Sequence, residues 1–263
     1  MIKSVISLFF LCAGCMSSPI PYEFPFVQFA LTGNTFSESP FKPHSAEITK
    51  LIETLNRENP TFIIHTGNLI YAGYSPGIRE ADVLLQYKEN AEVFSRFSRV
   101  CIFVPGEFDN FMGSTSEFER YTKRPPYHSF GYGSVEFIVL NSSDPFAGEI
   151  STRQISWMEN ELNAYGKSQD FIILSYHPVF LPKPIEGIQT LKNAVKIHSI
   201  LIKHHVIAVI SGSGDRLFRT EKDGISYINA GCVPSYKPCY TGQFRYYSVL
   251  LQNGCLTIQG KVY

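Results

Sequence analysis

The sequence has no excess of either charge, and it lacks several motifs that identify common function classes. Lys plus Arg and Asp plus Glu each number 23, so the composition gives no reason to expect a nucleic-acid partner. A Gly-x-Ser-x-Gly elbow is absent, which argues against a serine hydrolase, and so is a glycine-rich phosphate loop. The four cysteines after residue 15 form no Cys-x-x-Cys pair, so a structural zinc site is not expected.

Long apolar segments are also scarce, and the segment with targeting character lies at residues 1–15. Lys3 supplies a positive charge, residues 5–12 form a short apolar core, and Ala13-Gly14 are small, which together predict a signal peptide. The core is too short to cross a bilayer as a helix, and no second apolar segment is long enough to do so.

The small residues before Cys15 resemble a bacterial lipobox, although Cys12 occupies a position where leucine is usual. Cys15 would then be the lipidated first residue of an exported protein, anchored in a membrane of the bacterial envelope on its periplasmic or surface face. The alternative is an ordinary cleaved secretory signal. We expect residues 16–25 to form a tether and residues 26–263 to form the folded domain.

The remaining four cysteines would lie in a compartment where disulfides persist. Cys232 and Cys239 bracket a proline-containing loop and are candidates for a disulfide that closes a small ring. Cys101 and Cys255 lie in apolar, strand-like segments, where a free buried thiol is the more common arrangement.

Strand-like and helix-like segments alternate along the chain, which predicts a single α/β domain. The strand-like segments are too apolar to leave one face wet, so they are predicted to be central and buried. A Gly-x-Gly turn within residues 127–143 predicts a β-hairpin, and the C-terminal part returns to β structure. The predicted strands are 26–31, 61–65, 100–104, 170–176 and 206–211, and the predicted helices are 45–59, 79–97, 151–165 and 188–205.

Each of the five predicted strands ends in a turn that contains glycine or polar residues. Parallel strands place their carboxyl ends at one edge of a sheet, so the five turns are expected to converge on one site. The turns are Gly33-Asn34-Thr35-Phe36, Gly67-Asn68, Gly106-Glu107-Phe108-Asp109, Tyr176-His177-Pro178 and Gly212-Ser213-Gly214-Asp215.

The order and spacing of these turns resemble the calcineurin-like metallophosphoesterases, the superfamily that includes the purple acid phosphatases. The family pattern is Asp-x-His, Gly-Asp, Gly-Asn-His-Asp or Glu, His, and Gly-His-x-His, each after a strand. The resemblance extends over about residues 26–262 and includes HTGNLIYAG, the hairpin YHSFGYGSVEFIVLNS and the helix QISWMENEL. It implies an α/β fold of two packed mixed β-sheets flanked by α-helices, in four layers, with two metal ions at the strand ends.

Most of the metal ligands that the resemblance implies are replaced in this sequence. His177 alone matches a family ligand, and Asp109 matches a residue that supports the ligands from behind. The replaced positions are Asn34 for the first aspartate, Phe36 for its histidine partner, Asn68 for the bridging aspartate, Glu107 for the asparagine ligand, Phe108 for the catalytic histidine, and Ser213 and Asp215 for the last two histidines.

Loss of the bridging carboxylate has a large electrostatic consequence for a two-metal centre. Two divalent cations ~3.5 Å apart repel by roughly 19 kcal/mol at an effective dielectric of ~20, and an anionic bridge offsets much of that repulsion. The amide of Asn68 has no charge, and its nitrogen is a donor that cannot ligate a cation. Phe108 can neither donate nor accept a proton. No catalytic residue and no metal cofactor are therefore expected.

These replacements predict a catalytically inactive protein of this fold, with a binding or structural role toward an unknown protein or small-molecule partner. One alternative is a phosphoesterase with a rewired single-metal site, and another is a calcium-dependent recognition module. Both alternatives need one hard cation, calcium or magnesium, and oxygen ligands. The candidate ligands are Asn34, Asn68, Glu107 and Asp215, with His177 or Asp109.

A cluster of aromatic residues in the C-terminal part has two interpretations. Exposed rings would form a contact surface of the kind enriched at interfaces, whereas rings that alternate in a strand pair would only pack. The residues are Tyr236, Tyr240, Phe244, Tyr246 and Tyr247.

Overall fold

The computed structural model describes residues 26–36, 46–72, 76–165, 169–214, 217–231 and 245–263. The predicted signal peptide and tether, Cys15, Asp215, and the disulfide candidates Cys232 and Cys239 lie outside these residues. The described part combines two large mixed sheets with five helices, which confirms the predicted α/β class. None of those helices is long and apolar enough to span a bilayer.

Two sheets form the centre of the fold. The first has the strand order β13-β12-β1-β2-β3, and the second has the order β10-β11-β9-β8-β5-β4, while β6 and β7 form a separate short pair. The strands are β1 (Val27–Thr32), β2 (Phe62–His65), β3 (Cys101–Phe103), β4 (His128–Tyr132), β5 (Val135–Val139), β6 (Ser143–Asp144), β7 (Glu149–Ile150), β8 (Asp170–Ser175), β9 (Val206–Ser211), β10 (Leu217–Lys222), β11 (Ile225–Ala230), β12 (Arg245–Gln252) and β13 (Cys255–Val262).

In the second sheet the parallel strands are central and antiparallel strands form both edges, whereas in the first sheet the parallel strands extend to the β3 edge and the antiparallel strands lie on the other side. In the first sheet β1, β2 and β3 run parallel, with Thr32 opposite His65 and His65 opposite Phe103. In the second sheet β5, β8, β9 and β11 run parallel. The segments that follow these strands therefore emerge at the carboxyl edge of each sheet, where ligand sites of open α/β sheets lie.

The helices agree with the sequence predictions in three of four cases. The fourth prediction, a helix over 188–205, is too long, because Ile188 pairs with Ile185 in a β-bridge and the Leu191 amide donates to the Pro178 carbonyl. A short helix over residues 116–122 was not predicted. The helices are α1 (Ala46–Glu58), α2 (Glu80–Phe94), α3 (Ser116–Thr122), α4 (Thr152–Ala164) and α5 (Ala194–Leu201).

Apolar side chains from both sheets fill the space between them. Phe29 and Phe62 of the first sheet stack with ring centroids 5.3 Å apart, and Phe137 of the second sheet meets both rings edge-on, at 5.7 and 5.5 Å. A separate apolar cluster packs Ile155 of α4 and Ile197 of α5 against the second sheet. The layers are thus held together by packed side chains, and the edge-on ring contacts add to the area that is buried.

Helix α2 presents polar side chains to the turn that follows β2. Gln86 accepts a hydrogen bond from the Tyr71 amide at 2.8 Å and donates one to the Tyr71 carbonyl at 3.2 Å. The buried Asn90 donates to the Leu69 carbonyl at 3.2 Å. Since backbone groups enclosed in this way need partners, the helix satisfies the polar groups of the turn and fixes its path.

The ring contacts between the sheets make a stability prediction. Replacement of the fully buried Phe137 by Ala removes a ring that touches both sheets, so F137A should lower the free energy of unfolding by about 3–5 kcal/mol. F146A is the matched control, since Phe146 is 58% exposed, and its effect should stay within about 0.5 kcal/mol. Urea denaturation measures both, and equal losses in the two variants would contradict this packing arrangement.

Candidate functional site

The turns at the carboxyl edges of the two sheets contact one another directly. The backbone N–H of Asn34 donates to the Gly67 carbonyl at 2.8 Å, which joins the turns after β1 and β2. The Gly212 and Ser213 amides both donate to the Tyr176 carbonyl at 3.0 Å, which joins the turns after β8 and β9. Each of these contacts joins two turns of one sheet, and the Asn34 side chain, which donates to the Gly212 carbonyl, joins the two sheets. We call this group of turns the strand-end site.

Two asparagines bridge the sheets at the centre of this site. The Asn34 side-chain nitrogen donates to the carbonyls of Gly212 and Gly231, at 3.0 and 3.2 Å. The Asn68 side-chain nitrogen donates to Asn34 Oδ1 at 3.1 Å and to the Tyr176 hydroxyl at 2.7 Å. We call Asn34, Asn68 and Tyr176 the amide network.

Backbone groups fix the orientation of both amides. Asn68 Oδ1 accepts a hydrogen bond from the Phe108 backbone N–H at 3.0 Å, so the other end of the amide must be the nitrogen. The carbonyls that face the Asn34 nitrogen can only accept, so that amide cannot be turned either. Asn68 therefore directs its N–H groups, and no oxygen lone pair, toward Asn34 and Tyr176.

The backbone at both asparagines is left-handed, with φ of 49° at Asn34 and 60° at Asn68. Asn and Asp are the residues other than glycine that adopt this conformation most readily. Compared with the aspartate that the resemblance implies at each position, an asparagine therefore allows the same turn but carries no negative charge.

Asp109 joins the turns after β2 and β3. Its buried carboxylate accepts four backbone N–H hydrogen bonds at 2.7 to 3.2 Å, from Asn68, Leu69, Ile70 and Gly106. Burial raises the pKa of this carboxyl to about 6, although the four hydrogen bonds act to lower it. Because its oxygens accept these four hydrogen bonds, Asp109 stabilises the turns after β2 and β3. The resemblance places at this position a residue that supports the metal ligands.

The turn that carries Glu107 approaches Asn68 so closely that it needs glycine at Gly106. A Cβ at that position would lie 2.2 Å from Asn68 Oδ1 and 2.3 Å from the Asn68 backbone nitrogen. The close approach allows the Phe108 N–H and the Asp109 carboxylate to reach Asn68 together.

Aromatic rings occupy one side of the strand-end site. Phe36 meets Phe108 edge-on with centroids 5.5 Å apart, and Tyr71 lies 5.9 Å from Phe36 and 5.3 Å from Phe108. The two phenylalanines stand where the resemblance places a ligand histidine and the catalytic histidine. In this protein they pack against each other.

His177 lies on the opposite side, beside Glu107. Ser142 Oγ accepts from the His177 backbone N–H at 3.0 Å and lies 2.9 Å from His177 Nδ1. His177 Nε2 is 3.6 Å from a carboxylate oxygen of Glu107, which favours the tautomer that carries its proton on Nε2. Because Ser142 is fully buried and engaged by the backbone, it positions the histidine and is not placed to act as a nucleophile.

A cavity of about 380 Å³ opens in front of these residues, and we call it the Glu107 pocket. The Ser213 hydroxyl oxygen, in a side chain that is only 4% exposed, has no hydrogen-bond partner in the described structure. Asp215, the remaining candidate, lies outside the described residues. The walls of the pocket include Glu107, Tyr176, His177, Ile188, Gln189 and Ser213.

The described residues do not fit the two metal ions that the resemblance implies. Among them, no group of three or more His, Cys, Asp or Glu side chains is arranged to hold a metal ion. The oxygens of Asn34 and Asn68 accept N–H hydrogen bonds, and the aromatic rings offer no ligand atoms. A cation at the centre would face the N–H groups of Asn68, which repel it. The alternative given by the sequence, a single calcium or magnesium ion with Asp215 among its ligands, involves a residue outside the described part of the chain.

Two residues of the site carry roles that the sequence analysis missed. Tyr176 supplies the acceptor for Asn68, and Ser142 holds His177. The only sequence feature that could have indicated these roles is the position of the two residues: Tyr176 precedes His177 at a strand end, and Ser142 follows the predicted hairpin. In the C-terminal aromatic cluster, Tyr246 and Tyr247 are buried in β12 and pack in the core, whereas its other members lie outside the described residues.

The structure is similar to several solved structures, two of which are phosphatases. A dimetal phosphatase from Danio rerio is 15% identical over 90% of this chain and 96% of that chain, with a TM-score of 0.69. The purple acid phosphatase PPD1 from yellow lupin is 14% identical over 94% of this chain and 54% of that chain, with a TM-score of 0.66. GAP50, described as the anchor in the inner membrane complex of Plasmodium, is 13% identical over 90% of this chain and 84% of that chain, with a TM-score of 0.65.

These similarities confirm the expected fold: the chain has the architecture of the calcineurin-like metallophosphoesterases. No protein-family model matches the sequence, and no curated protein matches it significantly.

The amide network makes a prediction about Asn68. In N68D a carboxylate would face Asn34 Oδ1 in place of an N–H donor, and the Tyr176 hydroxyl would lose that donor, so the free energy of unfolding should fall by about 3 kcal/mol. N253D is the matched control, because Asn253 is exposed with a similar φ of 51° and should change stability by less than about 0.5 kcal/mol. Urea denaturation with and without manganese tests this. A variant restored to full stability by manganese would contradict the interpretation of the site.

Proposed function

We propose that this protein is a catalytically inactive, exported lipoprotein of the calcineurin-like phosphoesterase fold, with a binding or structural role at a bacterial envelope. The observation that carries this proposal is the orientation of Asn68. Its N–H groups point to the place where the active family has an anionic bridge between two cations, and backbone donors and acceptors hold that orientation. For metal-dependent hydrolysis, the hydrogen bonds of Asn68 would have to break so that cations could bind between the turns.

The group at position 108 supports the same proposal. Hydrolysis of a phosphate ester benefits from a side chain that can protonate the leaving group or stabilise its charge. Phe108 offers neither, and its ring packs against Phe36 and Tyr71. The neighbouring Glu107 and His177 are two titratable groups, but one carboxylate and one imidazole do not make a two-metal centre.

The proposed location depends on Cys15 and the apolar segment before it. A lipid on Cys15 with a tether over 16–25 would hold the folded domain close to a membrane without a transmembrane helix. GAP50 of Plasmodium, which has a similar fold, is described as an anchor in a membrane complex, so the fold is compatible with an anchoring role.

The purified full chain should hydrolyse neither p-nitrophenyl phosphate nor bis(p-nitrophenyl) phosphate above background, with manganese, zinc, iron, calcium or magnesium added in turn. The physical reason is that no described set of side chains can hold the two cations such a reaction uses. H177A is the control, since His177 is the one family-type ligand present. Metal-dependent hydrolysis that H177A abolishes would overturn the proposal.

Lipidation gives a separate prediction. In cells that express the full chain, labelled palmitate should be incorporated, and C15S should abolish the label, because the thiol of Cys15 would carry the lipid. C12S is the matched control and should keep the label, since Cys12 lies three residues earlier within the predicted apolar segment. Loss of the label in C12S but not in C15S, or no label in the unaltered chain, would show that residues 1–15 are not a lipoprotein signal.

A further inference from the structure

The Glu107 pocket has a charge of the sign opposite to that of a phosphate-binding centre. In the metal-containing family two cations attract an anionic phosphate, whereas the one formally charged side chain among the described residues that line this pocket is the carboxylate of Glu107. It is 34% exposed, and His177 Nε2 lies 3.6 Å from it. The described walls therefore repel an anion and attract a cation.

The polar atoms that face the pocket suit an ammonium group. A primary ammonium has three N–H donors and no acceptor, so it needs up to three acceptor atoms around it. Among the side chains that line the pocket, Glu107 carries a carboxylate and Gln189 an amide oxygen. The hydroxyl oxygen of Ser213, also a lining residue, is buried without a hydrogen-bond partner in the described structure, so a rotation of this side chain toward a ligand donor would give it a hydrogen bond that it lacks.

A metal cation fits the same pocket less well. Calcium takes six to eight oxygen ligands, and magnesium requires octahedral coordination. The oxygens of Asn34 and Asn68 accept N–H donors within the amide network, which leaves Glu107 as the one carboxylate in the described walls. An ammonium group needs only up to three acceptors, and not all of them have to be charged. The cavity of about 380 Å³ lies within the size range of small-molecule sites.

We infer that the Glu107 pocket binds a small organic ligand through a primary ammonium group, with Glu107 as the counter-ion and Ser213 and Gln189 as further acceptors. This inference rests on the proposed function, because a catalytic metal centre would bring cations into the same place. Ile188 and the ring of Tyr176 provide apolar surface for the carbon atoms next to the ammonium. His177, held by Ser142, lies with its Nε2 3.6 Å from the Glu107 carboxylate.

Calorimetry on the purified full chain with ethanolamine as the probe tests the inference. Ethanolamine should bind, and ethylene glycol, which lacks the positive charge, and inorganic phosphate should not. E107Q removes the charge and should weaken ethanolamine binding by roughly tenfold or more. S213A, which removes one of three acceptors, should weaken it by a smaller factor. E186Q is the matched control, since Glu186 is exposed on the adjoining loop and does not line the pocket, and its affinity should be unchanged.

The result that overturns the inference is the absence of ethanolamine binding, equal affinity in E107Q and the unaltered chain, or tighter binding of phosphate. Circular dichroism of E107Q and S213A confirms that a loss of binding is not a loss of folding. A parallel assay of metal-dependent phosphoesterase activity separates the two proposals. If ethanolamine fails to bind and no hydrolysis occurs, only the ligand inference is wrong, whereas hydrolysis would remove the proposed function itself.

Discussion

The hydrogen bond from the Phe108 backbone to Asn68 Oδ1 is the contact on which the chemistry of the site depends. It fixes which end of the amide faces the centre, and it thereby places N–H donors opposite Asn34 and Tyr176. Asn34 is fixed in the same manner from the second sheet, through the carbonyls of Gly212 and Gly231. In related folds two cations occupy this centre, whereas here hydrogen bonds between neutral groups occupy it. The two sheets are linked at this edge by hydrogen bonds of the Asn34 side chain.

The backbone of the turns and their capacity to bind metal depend on different properties of the same residues. The left-handed turns need a residue that tolerates positive φ, and asparagine meets that need without a charge. Asp109 keeps its negative charge, since its four N–H partners bind a carboxylate better than an amide. The turns keep their backbone conformation with asparagine at Asn34 and Asn68, while Phe36 and Phe108 are apolar and Glu107 carries a carboxylate. The pocket that results has a carboxylate where the active family has cations.

The sequence was sufficient to predict the fold but only part of the site. Apolar runs located the central strands, because burial on both faces leaves a strong pattern. The helix predicted over 188–205 was too long, because Ile188 and Leu191 precede the helix: Leu191 packs in the cluster against the second sheet, and Ile188 lines the Glu107 pocket. The replaced ligand positions could be identified from the resemblance. The orientation of Asn34 could not, because it is set by carbonyls 178 and 197 residues away along the chain. The role of Tyr176 was missed because its partner, Asn68, is 108 residues away.

A crystal grown in millimolar manganese, with an anomalous difference map calculated at the strand-end site, tests the central claim most directly. The account predicts no anomalous peak between Asn68 and His177, with the Asn68 side-chain nitrogen on the Tyr176 hydroxyl and its oxygen on the Phe108 amide. A manganese peak there, with the Asn68 amide turned so that its oxygen ligates the ion, would contradict the account.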